Sequence, residues 1–246
     1  MLVGLFIPCY VNQFYPQVGI ATLQLLEKQG LKVEYPVNQT CCGQPMANSG
    51  FEKDAIKTYK LFVKNFNRYD YIVAPSGSCV YHVKKHFDII EQTEEVKKVR
   101  SSIFEISEFL LKVLDKDEFN SYFPYKVGLH QSCHGLRGLN LGKPSEIIDE
   151  SFSITKKLLS NVKGIELVQL DREDECCGFG GTFAVTEEAV SVKMGIDRIN
   201  DHLNHKAEVI TATDMSCLMH LDGIIRRRNL QIKIKHITEI LNSMEK

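Results

Sequence analysis

Cysteine is the residue type whose number and spacing could do chemistry in this chain. Eight cysteines stand at 9, 41, 42, 79 and at 133, 176, 177, 217. Each set has one Cys, a gap, a Cys-Cys-Gly, a second gap and one Cys. The gaps hold 31 and 36 residues in the first set, 42 and 39 in the second. With 246 residues, 43% of them hydrophobic, the chain can bury a sizeable core without covalent staples. A disulfide framework suits small secreted chains, and Met1 to Cys9 lacks the basic and long apolar character of a secretory leader. The expectation is a cytoplasmic protein whose cysteines are buried thiols, reactive thiols or metal ligands. A net charge of −1 gives no electrostatic reason to expect nucleic acid or an anionic membrane as partner. The apolar stretches fall far short of the roughly 18 residues a membrane span needs, so no direct membrane insertion is expected.

The residues around the cysteines repeat as well. Val3-Gly4-Leu5 stands six residues before Cys9, and Val127-Gly128-Leu129 six before Cys133. Tyr71-Ile72-Val73-Ala74 leads to Cys79, and Val209-Ile210-Thr211-Ala212 leads to Cys217. Ile106-Ser107-Glu108-Phe109-Leu110 closes one half and Ile237-Thr238-Glu239-Ile240-Leu241 the other. These shared offsets argue for a duplicated unit of roughly 120 residues. We divide it into halves 1–120 and 121–246, with the boundary near Asn120 to Pro124 and no low-complexity linker between.

Within a half, strand and helix patterns alternate. Leu2 to Pro8, Leu31 to Tyr35 and Tyr71 to Ala74 read as strands. Val18 to Gln29, stopped by Gly30, and Asp54 to Phe66 read as helices. The pattern predicts an α/β fold of two pseudo-symmetric halves, each a small, mainly parallel sheet flanked by helices. Cys9, the 41–42 pair and Cys79 each follow a predicted strand. Three loops would thus bring four thiolates to the carboxyl edge of one sheet, where α/β proteins bind ligands. The second half repeats this.

Four soft thiolates select iron–sulfur clusters, zinc or Cu(I). Four cysteines suit a 4Fe–4S cluster, a 2Fe–2S cluster or structural zinc. Zinc sites usually bring ligands in close C-x₂-C pairs, whereas here the only close pair is adjacent and the other ligands lie over thirty residues away. Adjacent side chains splay, which favours a broad cluster over one compact ion. Gly43 and Gly178 follow both Cys pairs and could let backbone N–H groups reach a cluster. Ser76, Ser78 and Ser216 could supply further donors.

These motifs resemble a known family. Cys41-Cys42-Gly43-Gln44-Pro45, Pro75-Ser76-Gly77-Ser78-Cys79 and Cys176-Cys177-Gly178-Phe179-Gly180-Gly181 are similar to the cysteine-rich CCG domain. That domain occurs in the cluster-bearing subunit of heterodisulfide reductase and in iron–sulfur subunits of glycolate and glycerol-3-phosphate oxidising complexes. The likeness is strongest to the lactate-utilization branch and runs from the first strand to the last helix. It implies two iron–sulfur clusters in an electron-transfer component of a three-part system oxidising L-lactate to pyruvate. The implied partners are a ferredoxin-like iron–sulfur subunit and a third small subunit. Heterodisulfide reductase members carry a fifth cysteine three positions before the last one of each unit. Here those positions are Ser76 and Asp214. This departure disfavours a five-thiolate cluster and its disulfide chemistry, leaving a heterodisulfide reductase-like thiol–disulfide enzyme or a structural zinc module as alternatives.

Asp214 reads either as an oxygen ligand or as a solvated or capping carboxylate. His134 beside Cys133 and His220 three after Cys217 read as hydrogen-bond donors or ligands. The acidic 171–175 run and Arg226-Arg227-Arg228 read as solvated charge. No Gly-x-Gly-x-x-Gly or P-loop is present. Oxidation of a 2-hydroxy acid needs a hydride acceptor such as flavin or nicotinamide. That chemistry is expected on another subunit, with this chain relaying electrons.

Overall fold

Residues 1–244 are described by the computed structural model; 245 and 246, the end of the second expected half, lie outside the described residues. The short apolar runs form two four-stranded sheets. The first holds β1 (Leu2–Leu5), β2 (Lys32–Glu34), β3 (Tyr71–Ala74) and β4 (Ile103–Glu105), in the order β2-β1-β3-β4. The second holds β5 (Lys126–Leu129), β6 (Glu166–Val168), β7 (Val209–Ala212) and β8 (Lys233–His236), in the order β6-β5-β7-β8. Every pairing is parallel, and the registers correspond. Val3 stands opposite Val33 and Tyr71, as Val127 stands opposite Leu167 and Val209. The α/β architecture of two related halves is as the repeat predicts.

The helices form where apolar residues recur at helical spacing. Helix Glu52–Phe66 buries Ala55, Tyr59, Phe62, Val63 and Phe66, with Glu52 and Asp54 in its first turn and Lys64 in its last. Helix Pro16–Lys28 starts two residues earlier than expected because Pro16 suits a first helical turn. The predicted strand at Leu31 to Tyr35 shortens to Lys32–Glu34, and Leu2 to Pro8 shortens to Leu2–Leu5. After Phe6, Ile7 and Pro8 the chain turns into helix Cys9–Phe14.

The two sheets are tied by their closing segments. Ile106–Glu108 leaves β4, capped by the Glu105 carboxylate, and packs on helix Ile154–Ser160 of the second sheet's layer. Ile237–Leu241 leaves β8 and packs on helix Pro16–Lys28 of the first. Its start is a capping box: His236 accepts from the Thr238 N–H, and Glu239 accepts from the His236 N–H. Lys28 Nζ and Gln24 Oε1 then hold Asn242 at 2.7 and 2.8 Å. Among the described residues no helix is long and apolar enough to cross a membrane.

Candidate metal-cluster site

In each sheet the two central strands hand the chain to opposite sides, so a crevice opens at their carboxyl ends. The cysteines stand around that crevice. Cys9 begins the helix after β1, and Cys79 lies in the first turn of helix Gly77–His86 after β3. Cys41 and Cys42 come from the loop between β2 and helix Gln44–Asn48. In the second half Cys133 precedes the π-helical turn His134–Gly138, and Cys217 lies in the first turn of helix Met215–Arg227. Cys176 and Cys177 come from the loop after β6.

The distant cysteines meet. The Cys9 and Cys41 sulfurs are 3.9 Å apart, and the Cys42 thiol interacts with those of Cys41 and Cys79. Cys133 contacts Cys176, and Cys177 contacts Cys176 and Cys217. All eight are free thiols, and all eight line one cleft of about 470 Å³ between the two sheets. Cys42 and Cys177 form its buried floor.

The Cys-Cys-Gly turn has a steric reason. Gly43 and Gly178 adopt φ of +91° and +87°, a left-handed conformation that side chains resist. That conformation turns their amides back onto the preceding thiols, 3.3 Å from Cys41 Sγ and 3.4 Å from Cys176 Sγ. Hydrogen bonds from Cys42 first and Cys9 next push Cys41 down to about 3, and the Gly43 amide adds to this against the opposing effect of burial. Cys176 is pushed down to about 2 by Cys133 first and then Cys177. Cys42 and Cys177 are held up by the hydrogen bonds they give to Cys41 and Cys176. The first set thus holds one ready thiolate, Cys41, beside Cys9 and Cys42 whose protons are held, and the second holds Cys176 beside Cys133 and Cys177. A cation would release the remaining protons.

A family model for the CCG cysteine-rich domain matches residues 3–84 and again 127–222, covering both sets of thiols. The chain is 38% identical to lactate utilization protein A of Halalkalibacterium halodurans, across 100% of this chain and 98% of that protein. It is 36% identical to lactate utilization protein A of Bacillus subtilis, across 99% of this chain and 100% of that one. The chain belongs to the lactate utilization protein A family. Among solved structures, glutamate racemase RacE1 of Bacillus anthracis aligns with 98% of this chain and 78% of its own, at 10% identity and a TM-score of 0.36.

The residues three positions before Cys79 and Cys217 face each other. Ser76 and Asp214 form an antiparallel bridge, as equivalent residues do across a two-fold axis. The Asp214 carboxylate accepts from Ser76 Oγ at 3.2 Å, Ser78 N at 2.6 Å, Ser78 Oγ at 3.1 Å and Ser216 Oγ at 3.0 Å. The reading of Asp214 as a solvated carboxylate is therefore overturned: it is 1% exposed and joins the two halves. Ser76, Ser78 and Ser216 line the cleft, with their hydroxyls turned to Asp214. Ser76 also caps its helix by accepting from Cys79 N.

Two histidines were missed in the sequence. His82 follows Cys79 by three, as His220 follows Cys217. His82 is buried, held neutral with its ring pushed down to about 3 by desolvation and by His86, and bonds Tyr59 Oη at 2.9 Å. His220 donates toward the Ser191 carbonyl at 3.3 Å, and His134 packs on Tyr81. His130 is the histidine with a ring nitrogen within 4.8 Å of the Cys177 and Cys217 sulfurs. Its signal was its place directly after Val127-Gly128-Leu129, where the first half has Phe6. The acidic 171–175 run is engaged internally: Asp174 accepts from Arg137 and from Ser145 N, and Glu173 pairs with Lys156.

Proposed function

We propose that the chain is an iron–sulfur electron-transfer component of a multi-subunit system that oxidises L-lactate to pyruvate. In this reading halves 1–120 and 121–246 each hold one cluster, of 4Fe–4S type. Cys9, Cys41, Cys42 and Cys79 hold the first; Cys133, Cys176, Cys177 and Cys217 hold the second. The observation that carries it is the convergence, twice, of four thiols from three sequence-distant segments on one cleft. The donor set fits the group: soft sulfur ligands, a ready thiolate in each set, and Gly43 and Gly178 amides aimed at sulfur. The substrate class follows from the names of the full-length relatives.

A bound cluster supplies one-electron chemistry. The protein's own residues do the rest. The cysteine pairs and helix starts fix the sulfur positions, and the glycine amides set the charge felt there. Asp214, through Ser76, Ser78 and Ser216, holds the two sites in a fixed mutual position. Hydride removal from lactate belongs to a flavin or nicotinamide elsewhere in the complex. The partners in this reading are a ferredoxin-like iron–sulfur subunit and a third small subunit, in the reducing cytoplasm where free thiols persist.

Anaerobic purification tests the proposal. A brown protein with about eight irons and matching labile sulfide is expected, as for two four-iron clusters. A colourless protein carrying zinc and no sulfide would refute it in favour of a structural zinc module.

A further inference from the structure

The two sites share the arrangement of their thiols but differ in the residue that follows the first strand of each sheet. In the first half the residue after β1 is Phe6, packed edge-on against Phe62 and Phe66 with ring centres 4.8 and 5.7 Å away. At the equivalent place after β5 stands His130. It is 0% exposed, and neither of its ring nitrogens has a hydrogen-bond partner. One nitrogen lies within 4.8 Å of the sulfurs of both Cys177 and Cys217.

The surroundings of His130 are polar where those of Phe6 are aromatic. Arg198, fully buried, donates to Asp201 Oδ2 at 3.1 Å, to the Leu129 carbonyl at 3.4 Å and to the Arg172 carbonyl. His202 is equally buried and presses its ring on Gly128, where a Cβ would come 2.0 Å from its Nδ1. The corresponding ring over Gly4 is that of Tyr69. His202 also lacks partners for both ring nitrogens, but of the two it is His130 whose nitrogen lies near sulfur, so its unpaired N–H points to an acceptor at the second site. The second-site sulfurs of Cys177 and Cys217 are within reach.

We propose that His130 donates its ring N–H to sulfur at the second site, and that this donor gives the second cluster the higher reduction potential. The inference rests on the iron–sulfur reading above. Hydrogen bonds to sulfur stabilise the form carrying the extra electron. Phe6, at the equivalent position of the first half, offers no such donor. An electron given up at the first site, which is thereby oxidised, would pass to the second, which is reduced. The chain therefore has a direction, from residues 1–120 toward 121–246.

The test is an anaerobic redox titration followed by EPR on the full-length protein and on His130→Phe, His130→Leu and His130→Gln. Wild type is expected to titrate in two steps. The Phe and Leu variants keep full iron and sulfide, but their upper step moves to more negative potential while the lower step stays. The Gln variant, which restores an N–H, returns toward wild type. Upper steps unmoved in the Phe and Leu variants would overturn the inference, as would an equal shift of both steps or loss of half the iron, which would mark a ligand instead of a donor. A wild-type protein without iron and sulfide overturns both this inference and the function it rests on; two clusters insensitive to residue 130 overturn this inference alone.

Discussion

Replacing Gly178 by alanine tests whether the Cys-Cys-Gly turn exists because of its geometry. Gly178 has φ of +87°, and a Cβ there would lie 2.7 Å from the Ser191 carbonyl and 2.7 Å from Met194 Cβ. A proper control is present in the same molecule. Gly30 also has positive φ, +75°, but a Cβ there meets nothing within 4 Å. Gly30→Ala therefore isolates the conformational cost, about 1–2 kcal/mol for an L-residue in the left-handed region. Gly178→Ala carries that cost and adds the strain of forcing a methyl group against backbone, about 1–3 kcal/mol more. Helix Glu188–Asn204 cannot give way cheaply, because Ser191 Oγ already bonds the Gly178 carbonyl at 2.8 Å. Urea unfolding of both variants beside wild type, under anaerobic reducing conditions, reads the difference from the shift in midpoint. The same variant should weaken metal retention at the second site, since the amide aimed at Cys176 moves. Equal destabilisation of the two variants, within about 0.5 kcal/mol, would show that close approach plays no part and refute the reasoning.

Three further outcomes are expected. Cys41→Ser removes the ready thiolate of the first set, so iron content should fall to about half that of wild type while the second site stays loaded; unchanged iron would exclude Cys41 as a ligand. Asp214→Asn replaces a buried carboxylate that accepts from both halves, and each charged hydrogen bond is worth about 1.5–3 kcal/mol, so a loss of about 3 kcal/mol is expected in urea unfolding. Acidification should also unfold the protein early. His236 and His202 are buried and neutral, pushed by desolvation down to about 4 and about 2, with Arg198 adding to the effect at His202. Below the unfolded value of about 6.5 the unfolded chain takes up protons that the folded one refuses. Stability should therefore fall as pH drops from about 6.5 toward 4, approaching about 1.4 kcal/mol per pH unit for each histidine, a slope that His236→Asn should reduce.

Much of the architecture is legible in the sequence because a parallel α/β unit leaves few choices. Once Leu2–Leu5, Lys32–Glu34 and Tyr71–Ala74 are strands, connections that cross on one hand bring their carboxyl ends to a common edge. The cysteines that follow those strands must then converge. What the pattern hides depends on packing between remote segments. Helix Gln44–Asn48 has five residues, too few to form on propensity alone, and exists because it rests on helix Glu52–Phe66. Asp214 looks like a solvated loop acid until Ser76 and Ser78, more than 130 residues away in the chain, are seen to enclose it. His130 sits in a short apolar strand context, and only the return of Arg198 from a later helix makes its surroundings polar and dry. The repeat itself carried a signal that offsets alone did not exploit: the Phe6–His130 mismatch and the matching His82 and His220 are visible once the halves are laid over each other.

The closing segments that reach across, Ile106–Glu108 onto one side and Ile237–Leu241 onto the other, make the molecule a covalently joined pair with exchanged arms. Cutting the chain at its midpoint would leave each piece missing the arm its twin holds and exposing the groove where that arm lay. An ancestral single unit would have needed a second copy of itself to bury the same surface.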